Sequence, residues 1–152
     1  MSSFLLRGTR VATPDGPRPI EGLRVGDLVY SWSLLKRRPV LRPVSDVARS
    51  SASALLRIKA GTFIIEGVAP ACPFYDDARS RWVTAEALTP HSRLIAWLPR
   101  GQGGTQSADP RTVRLALRTS RTEAPAIVHD LLLEGDEQCF FANGLLVQAH
   151  RI

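Results

Sequence analysis

Cysteine is nearly absent from this chain: its 152 residues contain two, Cys72 and Cys139. Two thiols exclude a disulfide framework and a four-cysteine metal site. Each has apolar neighbours, which favours a small buried side chain over a reactive one. No apolar run approaches the ~20 residues of a membrane-spanning helix. The start, Met1-Ser2-Ser3-Phe4-Leu5-Leu6-Arg7, lacks the basic flank and long apolar stretch of a secretory signal, so a soluble chain is expected, of open compartment. Lysine is scarce too: of 20 basic residues against 14 acidic, only Lys36 and Lys59 are lysines. The arginines are scattered rather than ranked along one periodic face. The net charge of +6 therefore favours an ordinary solvated surface over a nucleic-acid platform, whose binding would weaken steeply with salt. No pair of histidines or carboxylates has metal-ligand spacing on a helix or hairpin, and neither a metal nor a cofactor is expected.

What is present is densely punctuated β-sequence. Asn143-Gly144 lies between the apolar runs Cys139 to Ala142 and Leu145 to Val147. That is a strong hairpin signal, because a type I′ turn needs positive φ at both central residues. Thr9 to Ala12 reads as a short strand, and Thr13-Pro14-Asp15-Gly16 as a tight turn. Pro17 and Pro19 keep the return extended at a sheet edge. Ile20 to Asp27 reads as one helical turn, followed by a strand over Leu28 to Trp32. Further strands are expected at Val40 to Val47 (an edge strand broken by Pro43), Leu55 to Lys59, Thr62 to Glu66, Arg93 to Leu98, Val113 to Leu117 and Ala126 to Leu133. Leu34 to Pro39 reads as a polar connector, Ser50 to Ser53 as a turn or loop, and Gly101 to Pro110 as a flexible segment. Many short strands without a sustained helical period predict one all-β domain over residues 1–152.

Four pieces of the first thirty residues carry a resemblance: Gly8-Thr9-Arg10-Val11, Thr13-Pro14-Asp15-Gly16, Ile20-Glu21 and Val25-Gly26-Asp27-Leu28-Val29. Near the other end, a strand ending His129-Asp130-Leu131 leads through Glu134-Gly135-Asp136 to Phe141-Ala142-Asn143-Gly144-Leu145-Leu146-Val147. These blocks resemble the Hint domain, the self-processing module shared by hedgehog proteins, inteins and bacterial intein-like domains. A middle block, Ala69-Pro70-Ala71-Cys72-Pro73-Phe74-Tyr75 followed by Trp82-Val83-Thr84-Ala85-Glu86-Ala87-Leu88, is similar in frame. The resemblance implies a flattened β horseshoe with pseudo-twofold symmetry and its termini close together.

It also implies a chemistry in which the domain acts on its own flanking peptide bonds. A nucleophile at the first residue attacks the preceding carbonyl. A threonine and histidine of the middle block polarise that amide and protonate the departing nitrogen, an aspartate of the last block relays protons, and in inteins a final histidine-asparagine pair cuts the downstream bond. Position by position this chain departs from the pattern. Counting back from Gly8, the nucleophile position falls on Phe4, and only a one-residue insertion would bring Ser3 there. The threonine is Ala69 and the histidine Cys72. Asp130 matches the aspartate. Gln148 and Ala149 replace the final pair, and alanine cannot cyclise. Ser3, Cys72 and Asp130 are therefore the candidate catalytic residues, with Ala69, Gln148 and Ala149 marking lost positions. Changes at both ends and in the middle fit natural degeneracy better than engineered termini.

The expected function is thus a splicing- and autoproteolysis-related domain that is inactive or limited to a slow acyl shift at Ser3. Its partner, if active, is its own flanking polypeptide in a longer precursor. Otherwise it is a monomeric binding or structural scaffold that holds a protein in the old cleft. No membrane partner is expected, and nucleic acid is disfavoured. Among single residues, His129 reads as a sheet-face residue, His91 as a solvated turn residue, His150 as an exposed tail, and Trp32, Trp82 and Trp97 as core anchors.

Overall fold

The computed structural model describes residues 4–99 and 110–149, the side chains of 121–124 excepted. Twelve strands form one sheet: β1 Leu5–Leu6, β2 Arg10–Val11, β3 Arg18–Pro19, β4 Leu28–Ser33, β5 Arg38–Ala60, β6 Phe63–Val68, β7 Pro73–Asp76, β8 Arg81–Thr84, β9 Arg93–Ala96, β10 Arg111–Leu133, β11 Cys139–Ala142 and β12 Leu145–Gln148. Among the described residues, helix is confined to two 3₁₀ turns, Ile20–Gly22 and Ala85–Ala87. No helix among them is long and apolar enough to cross a membrane.

The terminal hairpin forms as its sequence predicts. Asn143 and Gly144 have φ of 47° and 90°, and Phe140 pairs with Val147 across the turn. Successive residues of β11 point to opposite faces: Phe140 enters the main core, and Cys139 and Phe141 a second cluster with Trp32, Tyr75, Ile95 and Leu146. Both faces are covered, which is why these strands read as continuous apolar runs rather than alternating ones. Burying each Phe or Leu here contributes roughly 1.5–3 kcal/mol relative to exposure. Trp97 packs edge-on against Tyr30 at 5.0 Å and leans on Phe141 at 5.3 Å, so Trp32 and Trp97 anchor the second cluster and Trp82 lies at its margin.

The largest departure from expectation is in length. The separate strands read at Val40 to Val47 and Leu55 to Lys59 are one strand, β5, and those at Val113 to Leu117 and Ala126 to Leu133 are one strand, β10. Ser50 to Ser53, expected as a loop, lies inside β5, with Ser50 opposite Val128 and Ser51 opposite Ile127. Small polar residues have weak strand preference, but a full antiparallel ladder against β10 outweighs it. Pro43 does not end the strand either. Its carbonyl accepts the Glu134 N–H at 2.9 Å, and it lies just past Leu133–Val44, the last pair of the β5–β10 ladder, where the amide it lacks is not needed as a ladder donor. The Leu34 to Pro39 connector is shorter than read, since Arg38 and Pro39 already belong to β5. The helical turn stops at Gly22, and β9 stops at Ala96. Of the segment read as flexible, Gly101 to Asp109 lies outside the described residues.

Candidate functional site

The two ends of the domain meet at one turn. β1 is inserted between β6 and β10, and the Ala69 N–H donates to the Phe4 carbonyl at 2.9 Å. Leu5 pairs with His129, so the register carries Phe4 opposite Asp130. At the other terminus Val147 pairs with Phe74, and the same register leads from Gln148 beside Pro73 to Ala149 beside Cys72. The Cys72 N–H closes the turn on the Ala69 carbonyl at 2.9 Å. Phe4, Ala69, Cys72, Asp130 and Ala149 thus form one constellation. Ser3 lies outside the described residues.

The constellation is closed. Cys72, Asp130 and Ala149 are each 0% exposed, and Cys72 and Ala149 are packed into the main core. Burial, with the Asp130 charge nearby, pushes the Cys72 thiol well above its ordinary pKa. It stays protonated near neutrality and is a poor nucleophile and a poor donor, reaching the Pro73 carbonyl only at 3.9 Å. Asp130 Oδ1 accepts the Leu131 N–H at 2.7 Å, a bond that holds the carboxylate in place. Phe4 has φ of 23°, in the left-handed region that bulky residues avoid. The strain falls on the position where a nucleophile would stand.

His129 is not part of this group, since adjacent strand residues face opposite ways. Its half-buried ring borders a cavity of about 320 Å³ shared with Glu21 and Arg49, which also reaches Asp130. Burial lowers the His129 pKa, and Glu21 only partly opposes this. Its Nε2 has no hydrogen-bond partner among the described residues. His91 is exposed, as expected, and His150 lies outside the described residues. Among the described residues no three His, Cys, Asp or Glu side chains come together as a metal site would require.

Two contributors were not singled out by sequence reasoning. Glu21 accepts the Gly8 N–H at 2.9 Å and meets Arg7 at 3.4 Å. Burial would raise its pKa, but Gly8 and Arg7 outweigh that and lower it. Glu21 thereby pins the turn that follows β1, the physical reason for an Ile-Glu pair at that spacing. Gln148 was read only as a lost histidine. It is 9% exposed and forms part of the wall of a cavity of about 360 Å³.

No family model and no curated relative matches this chain. Solved structures do. A bacterial intein-like domain from Clostridium thermocellum superposes with a TM-score of 0.80 at 19% identity, over 97% of this chain and 99% of that one. An Ssp DnaB mini-intein variant gives 0.84 at 15% identity, over 99% and 96%. The DnaB intein from Synechocystis gives 0.79 at 14% identity, over 99% and 100%. Agreement over nearly the full length of each chain shows that this protein has the Hint fold of inteins and intein-like domains.

Proposed function

We propose that this is a Hint module of the splicing and autoproteolysis type that keeps the fold, holds its two ends side by side, and does not cut its downstream junction. At the upstream junction at most a slow acyl shift at Ser3 remains. In that step the Ser3 hydroxyl oxygen would bond to the carbonyl carbon of Ser2 and the Ser2–Ser3 amide would break. The hydroxyl proton would pass to the freed Ser3 amine, leaving an ester. The polypeptide acted on would be the chain's own flanks in a longer precursor.

The observation that carries the reading is the complete burial of Cys72 and Ala149, together with the retained Asp130. Such a centre lacks the threonine and histidine donors to a leaving amine, which are Ala69 and Cys72 here, and has no side chain to cyclise. Catalytic groups of this kind act as a unit, so loss of several leaves little activity. The test is the intact mass of the domain carrying its native upstream segment, before and after overnight incubation with dithiothreitol or hydroxylamine. An unchanged mass is expected. Release of the segment at the Ser2–Ser3 junction would overturn the proposed inertness upstream, and loss of residues beyond Ala149 would overturn it downstream. A second reading, a monomeric non-catalytic scaffold that holds a protein in the old cleft, has less support, since Cys72 and Asp130 expose nothing to a partner.

A further inference from the structure

The cavity of about 360 Å³ beside Gln148 lies between the end of β4 and the start of β11. Its walls include the Trp32 and Trp82 side chains, Cys139 and Gln148, with Asp136 and Glu137 at the rim. Its size is that of a pocket for one large side chain and its neighbouring backbone.

Two residues of this wall carry polar side-chain groups with no hydrogen bond among the described residues. Gln148 is more than nine-tenths buried, and no hydrogen bond of its side chain occurs among the described residues; what surface it keeps meets the cavity. Trp32, 3% exposed, has an indole N–H with no acceptor among the described residues. Buried polar groups are ordinarily satisfied, and the Gln148 carboxamide, without a protein partner and open only to this cavity, is placed to meet a ligand there; Trp32 also borders a second cavity, with Ile95 and Arg111. The charge of the rim narrows the ligand. Glu137 is already paired with Arg42, whereas the exposed Asp136 has no ion pair among the described residues. Trp82 is only half-buried, meeting Tyr75 edge-on at 5.2 Å. An acidic group beside an accessible indole favours a cation, and a planar guanidinium stacks on indole better than an ammonium does. The molecule already contains such a contact, Arg111 over the Phe63 ring at 5.2 Å.

We propose that this cavity binds an arginine side chain of a peptide segment. The guanidinium sits between Trp82 and Asp136 and donates to the Gln148 carboxamide oxygen. The site functions whether or not either flanking bond is ever cut.

The test is titration of the full chain with Nα-acetyl-arginine amide, followed through the indole N–H resonances of Trp32, Trp82 and Trp97 by heteronuclear NMR. The Trp32 and Trp82 signals should move saturably and the Trp97 signal should not. The neutral isostere Nα-acetyl-citrulline amide should bind roughly fivefold or more weakly. The surface substitution Asp136→Asn, which leaves the core untouched, should weaken arginine binding about twofold to fivefold. Trp82→Phe should weaken it further without unfolding the domain. The proposal is overturned by non-saturable shifts, by equal binding of citrulline, or by indifference to Asp136→Asn.

Discussion

Asn143 is a sharp place to test how the ends of this domain are locked together. Its side chain accepts the Arg10 N–H at 2.7 Å and donates to the Ile64 carbonyl at 2.8 Å. Its own N–H donates to the Arg10 carbonyl at 2.8 Å, and its φ is 47°. One residue therefore closes the last hairpin and ties it to β2 and β6. Asn143→Gly keeps the backbone conformation and removes two side-chain hydrogen bonds, for a loss of about 1–3 kcal/mol at 0.5–1.5 kcal/mol each. Asn143→Ala removes the same bonds and adds about 1 kcal/mol for holding a β-carbon at positive φ. Asn143→Asp keeps the acceptor for Arg10 but loses the donor and sets a carboxylate against the Ile64 carbonyl. It should lose at least as much as the glycine variant at neutral pH. Urea unfolding reads each directly, with unchanged slope and a lower midpoint, and the alanine variant should melt roughly 5–15 °C lower. If Asn143→Gly is within about 0.5 kcal/mol of wild type, the two bonds do not hold the ends together. Equal losses for the glycine and alanine variants would show instead that the positive φ costs nothing.

Three further outcomes are expected. Burial holds the His129 pKa below its ordinary 6.5, so as pH falls the unfolded chain takes this proton first. The associated stability is full above about pH 6.5, and is lost as pH falls toward the folded pKa. Urea midpoints should rise from about pH 5 to pH 7.5, and His129→Gln should flatten that rise; an unaltered slope in the variant would contradict the assignment. Cys72, wholly buried with a raised pKa, should react with a thiol reagent only as fast as the domain opens, and rapid native-state labelling at Cys72 would refute its closure. Gly144→Ala should destabilise by about 2–4 kcal/mol, because a β-carbon at φ of 90° would overlap the Phe63 ring. Partial recovery in the Gly144→Ala, Phe63→Ala double variant, measured by the same unfolding curves, identifies the clash.

What could be read from sequence divides along the range of the interactions. The Asn143-Gly144 hairpin and the Thr13 to Gly16 turn, closed by the Gly16 N–H on the Thr13 carbonyl at 3.1 Å, are local, because backbone sterics choose their residues. Whereas the horseshoe was implied only by the resemblance of the first and last blocks, the all-β class was legible for the same reason, from turns between short apolar runs. Strand length was not, because nothing local marks Ser50 to Ser53 as sheet. Their conformation is imposed by β10, some 75 residues further along. At the candidate site, the identities at Ala69, Cys72, Gln148 and Ala149 could be read directly. Their complete closure, and the cavity that Gln148 walls instead, depend on packing that no window of sequence contains.

The insertion of β1 between β6 and β10 has a consequence for the order of assembly. A strand of two residues cannot persist alone, and the partners of Leu5 are Val68 on one side and His129 on the other. β2 has β3 as a local partner and gains its second neighbour only with Ala142. β1 thus has both its neighbours only when nearly the whole chain has left the ribosome, and the loop that closes on His129 is among the longest the chain allows. In a longer precursor, this makes completion of the fold a clock. The upstream neighbour is synthesised, and free to fold, before the domain that follows it draws the junction into the sheet.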